Sequence, residues 1–124
     1  TTILKISVLP SRLKEVLAGT GAAAESDSLR WAAIARGVGI VYAALLPESK
    51  NDSSRAQVAR AADRIQAACT RLEGHATIPW CPTEWKPSLK IWGAERSDLP
   101  QMRKLKAVFD AHGILSPGRF VGGL

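Results

Sequence analysis

Arg119 is the side chain whose neighbours best prepare it for chemistry. It follows Ser116-Pro117-Gly118, a stiff loop that exceeds what is needed to stop a helix, since a single glycine after the last turn suffices for that. A Pro-Gly pair fixes the backbone, and a guanidinium held there can bind a carboxylate or a phosphate through paired N–H donors. Arg30 and Arg36 bracket a short apolar run and could bind a substrate carboxylate; a solvated strand-end charge is the plainer reading of each. His75 and His112 are the only 2 histidines, and neither has a second ligand at helical or strand spacing, so no metal site is expected. No Ser-His-Asp or Cys-His set follows from the spacing either, and catalytic residues stay unassigned. No Gly-rich loop joins a strand to a helix, so no dinucleotide-binding fold begins in the chain.

The 2 cysteines, Cys69 and Cys81, are too few for a disulfide framework or a zinc site. Cys69 falls on an apolar helical stripe and reads as a small core residue; a Cys69–Cys81 bridge is the alternative, disfavoured in a reducing compartment. The expected location is the cytoplasm. No stretch approaches the ~20 apolar residues of a membrane-spanning helix. The chain opens at Thr1, without an initiator methionine, directly in a strand pattern, as a piece of a longer protein would. A net charge of +6 permits anionic partners without choosing among nucleic acid, phosphate cofactor and carboxylate substrate.

The elements that must position these groups follow from hydrophobic period. Thr2–Leu9 alternates, with Leu4, Ile6 and Val8 on one side and Ile3, Lys5 and Ser7 on the other, as in a half-buried strand. Pro10-Ser11 starts a helix, Leu13, Val16 and Leu17 give it an apolar stripe, and Gly19-Thr20-Gly21 ends or frays it. Leu29–Arg36 and Val38–Leu46 read as two strands about Gly37. Arg55–Leu72 is the clearest helix, Gly74 stops it, and His75–Trp80 alternates again with Ala76, Ile78 and Trp80 on one side. Pro79 limits that last stretch to an edge or an end of a strand. The order β-α-β-β-α-β implies an α+β, ferredoxin-like domain over 1–94, an antiparallel four-stranded sheet with both helices on one face. A third helix from about Asp98 to Asp110 and a tail complete residues 95–124, with Leu99, Met102, Leu105 and Phe109 as its buried face and Arg103, Lys104 and Lys106 in solvent.

Such a sheet leaves one face open for a ligand or a partner. RNA-recognition modules share the strand order, and Arg36-Gly37-Val38-Gly39-Ile40 keeps part of their third-strand frame. Val38, Ile40 and Ala43 stand where stacking aromatics are required, however, so no nucleic acid is expected as a partner. Trp80, Trp85 and Trp92 cluster in a Pro-containing loop, where they either anchor the loop or offer an apolar surface to another domain.

Phe109-Asp110-Ala111-His112-Gly113-Ile114-Leu115-Ser116-Pro117-Gly118-Arg119 resembles the Phe-Asp-Pro-x-Gly-Ile-Leu-Asn-Pro-Gly-Arg segment that closes FAD-linked oxidases of the vanillyl-alcohol oxidase type. Trp92-Gly93, the trailing Val121-Gly122-Gly123-Leu124 and the opening Ile6–Ser11 are most similar, within that family, to the C-terminal domain of the FAD-binding subunits of bacterial glycolate oxidases. Two positions depart from the pattern: Ala111 replaces a proline, which loosens the turn after the helix, and Ser116 replaces an asparagine.

The resemblance implies an FAD-dependent oxidoreductase. An N-terminal domain outside this chain would hold the FAD, and this domain would cap the flavin ring, with Ser116, Pro117, Gly118 and Arg119 as cofactor-binding positions at the flavin's edge. It implies oxidation of a small 2-hydroxy acid such as glycolate, with sister oxidase subunits as partners and hydride passing to FAD. Relatives that oxidise 2-hydroxy acids in their own active site carry a histidine cluster here, and this chain has none, which points to a supporting or electron-passing subunit. Alone, the domain is expected to be inactive, and its uncovered apolar face allows a homodimer. The alternatives are a salt bridge from Arg119 to the neighbouring domain and, for the whole chain, a free-standing ferredoxin-like ligand-binding or interaction module.

Overall fold

A computed structural model describes residues 1–95 and 97–124. The chain forms two compact units, Thr1–Ala94 and Glu95–Leu124. The first contains β1 (Thr2–Ser7), α1 (Leu13–Ser26), β2 (Arg30–Arg36), β3 (Ile40–Leu46), α2 (Asp52–Arg71) and β4 (His75–Trp80). Its four strands lie in the order β2-β3-β1-β4 and every neighbouring pair is antiparallel, which is the ferredoxin-like βαββαβ arrangement. The two helices pack against each other and against one face of the sheet.

The alternation of β1 sorts its side chains as expected. Thr2, Leu4 and Ile6 are fully buried under the helices, while Lys5 and Ser7 are exposed on the other face. Val41, Ala43 and Leu45 of β3 do the same, and Val58, Ala61, Ile65 and Cys69 of α2 close the core over them. Each large aliphatic side chain buried in this way stabilises the domain by about 1.5–3 kcal/mol. α2 starts where Asn51 caps it, its side chain accepting from the Ser54 N–H at 2.8 Å. It ends through Glu73 in the left-handed region (φ 56°) and a Gly74 N–H donated to the Cys69 carbonyl at 2.8 Å, so Glu73 makes the turn and Gly74 follows it.

α1 differs from expectation at both ends. A 3-10 turn over Pro10–Arg12 precedes it, with no capping bond from Ser11. The helix then runs through Gly19 and Gly21 to Ser26. The two glycines serve packing. A Cβ on Gly21 would stand 2.8 Å from the Trp31 ring, and one on Gly19 would stand 3.9 Å from Ala68 of α2. Thr20 between them turns its hydroxyl inward, donating to the Val16 carbonyl at 2.8 Å. Beyond the helix, the buried Asp27 accepts from Arg60 at 2.8 Å and from Arg64 at 2.6 Å, tying the end of α1 to α2.

Trp80 is also displaced from its expected side. The pairing of β4 with β1 shifts register between Ile3 and Lys5, so Thr77 lies opposite Lys5 but Trp80 lies opposite Ile3. That irregularity beside Pro79 moves Trp80 off the face of Ala76 and Ile78 and leaves it 64% exposed. The loop after β4 contains a 3-10 turn over Thr83–Ser88 that buries Trp85, and it returns along β4, the Ile78 N–H donating to the Ile91 carbonyl at 2.8 Å. β4, in which Pro79 implied an edge or a strand end, is an edge strand, and this return covers it at that point.

The second unit is α3 (Leu99–Phe109) and the tail. Leu99 is buried, but Leu105 and Phe109 are 58% and 80% exposed, so the expected apolar face is mostly uncovered. A single helix of 11 residues and an irregular tail give these side chains no layer to pack against within their own unit. Lys106, expected in solvent, is drawn into the tail instead.

Candidate functional site

Two surfaces carry the residues that sequence singled out, one on each unit. On the second unit, the tail is built around Asp110. Its Oδ1 accepts from the Ile114 N–H at 2.8 Å and its Oδ2 from the Leu115 N–H at 3.0 Å. Lys106 Nζ donates to the same Oδ2 and, at 2.7 Å, to the Leu115 carbonyl. The Asp110 side chain is only 6% exposed within this clamp. The Lys106 ammonium, helped by the two amides, holds its carboxyl below the ordinary aspartate range. The Gly113 N–H closes the turn onto the Asp110 carbonyl at 3.0 Å, across Ala111 and His112.

The clamp delivers the chain into Ser116–Arg119. The Arg119 N–H donates to the Ser116 carbonyl at 3.2 Å across Pro117-Gly118, with Gly118 at φ 71°. Pro at the second position and a left-handed glycine at the third define a type II turn. Ser116 sits at φ 45°, a region that asparagine tolerates better than serine. Arg119 is exposed and its guanidinium has no hydrogen bond or ion pair among the described residues. A shaped turn thus presents one unpaired cation. Asp110 has no role legible in the sequence pattern, and Lys106 falls on the solvent side of that pattern. The Lys106/Asp110 spacing of one helical turn was the available signal, but only the fold of the tail shows both grips closing on Leu115.

On the first unit, the open face of the sheet carries Arg30 and Arg36. Both lie on β2 with their side chains exposed, paired with Leu46 and Ile40 of β3. At ~3.3 Å per residue they stand about 20 Å apart at opposite corners of the sheet. The fold does not bring them together, and one small carboxylate cannot bridge them. The centre of the face belongs to Lys5, with Tyr42 directly opposite on β3 and Thr77 directly opposite on β4. Ser7 and His75 form the next pair along the same two strands. Alternation placed Lys5 on this face, but only the register supplies its neighbours.

A cleft of about 570 Å³ also lies in the first unit, lined by Trp80, Cys81, Glu84 and Lys86, with the Lys50–Glu84 ion pair at 3.1 Å on its wall. Glu84's own backbone N–H and then Lys50 hold its carboxyl below the ordinary range. Cys69 and Cys81 are both free thiols. Burial pushes the Cys69 thiol up to about 11, and burial also raises Cys81 against the opposing pull of Lys86. Both shifts favour the neutral thiol over the nucleophilic thiolate. Among the described residues no His, Cys, Asp and Glu side chains gather as a metal site, and no helix is long and apolar enough to cross a membrane.

Comparison with protein-family models, with curated proteins and with solved structures returns no match.

Proposed function

We propose that this chain is the C-terminal cap domain of an FAD-dependent oxidoreductase subunit of the vanillyl-alcohol oxidase type, nearest to the FAD-binding subunit of bacterial glycolate oxidase. The observation that carries the reading is the tail, in which the sequence Phe109–Arg119 is folded into a clamped type II turn that presents an unpaired arginine. The ferredoxin-like fold is the one the same resemblance implies.

The residues present suit a flavin. A Cβ at Gly118 would meet nothing within 4 Å, so a flat ring can come close to the turn. Arg119 would donate N–H groups to the ring's polar edge, and Ser116 can donate or accept beside it. Bound FAD would supply hydride acceptance from a small 2-hydroxy acid. What this chain's own residues do is orient and neutralise: the Asp110–Lys106 clamp fixes the turn, and Arg119 offsets negative charge at the ring edge. The rest of the FAD would be held by a separate N-terminal domain, with sister subunits completing the oxidase.

The product of the full gene should purify with FAD, and Arg119→Ala should weaken its retention or slow substrate-dependent reduction while leaving the fold intact by circular dichroism. A full gene product that purifies without flavin and takes none up would refute the reading. The exposed sheet face, with Ile34 71% and Tyr42 38% accessible, favours the second reading, a free-standing ligand-binding module, and that outcome would select it.

A further inference from the structure

We propose that the open face of the sheet holds a binding site for a small carboxylate, centred on Lys5 and completed by Tyr42 and Thr77. The register puts Tyr42 on one side of Lys5 and Thr77 on the other, each directly opposite it in an antiparallel pair. Directly opposed residues have Cβ atoms about 4.5–5.5 Å apart, so an ammonium, a phenol and a hydroxyl can converge on one small anion. Lys5 supplies three donors, and the two hydroxyls can each donate to a carboxylate or accept from a neighbouring hydroxyl.

Among the described residues these groups are not already engaged. Lys5, Tyr42 and Thr77 have no side-chain hydrogen bond or ion pair among the described residues. No strand contains an aspartate or a glutamate, so no carboxylate of the sheet competes for the ammonium. The surroundings are apolar, with Ile34 next across from Tyr42 and Ile3 beside Trp80 at the end of the sheet. Apolar neighbours lower the local dielectric and strengthen a charged hydrogen bond when the face is covered. Ser7 and His75, the next pair along, widen the polar strip on the side away from Trp80. The candidates suggested by sequence, Arg30 and Arg36, lie at the sheet's corners and each lacks such partners.

The site follows from the sheet register. It rests on the oxidase reading only for the identity of the carboxylate as a 2-hydroxy acid. The test therefore uses this chain without flavin. Amide spectra of the isotopically labelled chain are recorded during titration with sodium glycolate, and with sodium chloride at matched ionic strength. Saturable shifts at Lys5, Tyr42 and Thr77 are expected with glycolate and not with chloride. Lys5→Met should weaken binding by about tenfold or more, the loss expected when a hydrogen bond to a charged group is removed. Thr77→Val should weaken it a few-fold by the same reasoning, at roughly the scale of a neutral hydrogen bond. Arg30→Ala and Arg36→Ala should leave it within about twofold, since surface charges at that distance are screened. Equal shifts with chloride, or undiminished binding by both Lys5→Met and Thr77→Val, would overturn the site while leaving the flavin test untouched. A flavin-free gene product would overturn the oxidase reading and leave the carboxylate titration standing.

Discussion

Replacing Gly19 and Gly21 by alanine, one at a time, separates two accounts of α1. If the glycines ended the helix, both substitutions would be unfavourable, because an alanine at a left-handed helix stop is strained. In the structure both lie inside a continuous helix, and their surroundings differ. A Cβ at Gly19 would meet only Ala68, at 3.9 Å, which is ordinary contact. Gly19→Ala should therefore stabilise the domain by about 0.8–1 kcal/mol, the helix-propensity difference between the two residues. A Cβ at Gly21 would stand 2.8 Å from Trp31 Cζ2 and 3.3 Å from Cε2. The same propensity gain then opposes an overpacking cost of about 1–3 kcal/mol, so Gly21→Ala should be destabilising by about 0–2 kcal/mol. Urea unfolding followed by tryptophan fluorescence and circular dichroism reads the two variants on one scale. Gly19→Ala should raise the denaturation midpoint and Gly21→Ala should lower it or leave it unmoved. A destabilised Gly19→Ala would place the helix end at the glycines and refute the account. A Gly21→Ala variant as stable as Gly19→Ala would show that Trp31 does not pack there.

Four further outcomes bear on the tail and the thiols. Asp110→Asn should speed amide exchange at Ile114 and Leu115, measured by NMR, because one side-chain oxygen and the charge facing Lys106 are lost; unchanged exchange would mean that Asp110 does not shape the loop. The Asp110 carboxyl is depressed in the folded tail, so its contribution is full above the ordinary aspartate value of about 3.9 and lost as pH falls through the lower folded value. The Ile114 and Leu115 amide shifts should accordingly stay flat from about pH 7 to 5 and move only below about 4; a transition near neutrality would assign the clamp to another group. Ser116→Asn should slow amide exchange in the turn, since asparagine tolerates the left-handed region that Ser116 occupies at φ 45°. A thiol reagent should modify Cys81 slowly in the native chain and Cys69 only as fast as the domain unfolds, Cys69 being fully buried with its thiol pushed up to about 11; loss of all native-state labelling in Cys81→Ser would verify the order, and persistent labelling would contradict it.

The parts of the fold readable in advance were those in which the signal is local. The alternation of Leu4, Ile6 and Val8 and the stripe from Val58 to Cys69 each report a face by their own period, and Gly37 marks the break between two strands. The misread parts depend on something distant. Gly19 and Gly21 look like a stop until Trp31 and Ala68 are placed beside them. Trp80 keeps the period of Ala76 and Ile78, yet the shifted pairing against β1 turns it to the other face. Lys106 sits on the polar side of an amphipathic helix with Asp110 one turn away, and only the returning tail brings it the Leu115 carbonyl as a second partner.

The amino-acid sequence was enough for the βαββαβ order, the core faces of β1 and α2 and the presence of a Pro-Gly-Arg turn after α3, because hydrophobic period and turn chemistry are written over a few neighbouring residues. The tertiary structure alone decided which polar groups face one another. Register placed Lys5 between Tyr42 and Thr77 and held Arg30 and Arg36 apart, while Asp110's grip on two tail amides shaped the turn that carries Arg119. Pairing across a sheet or a loop is fixed by packing between segments far apart in the chain, and no local period encodes it.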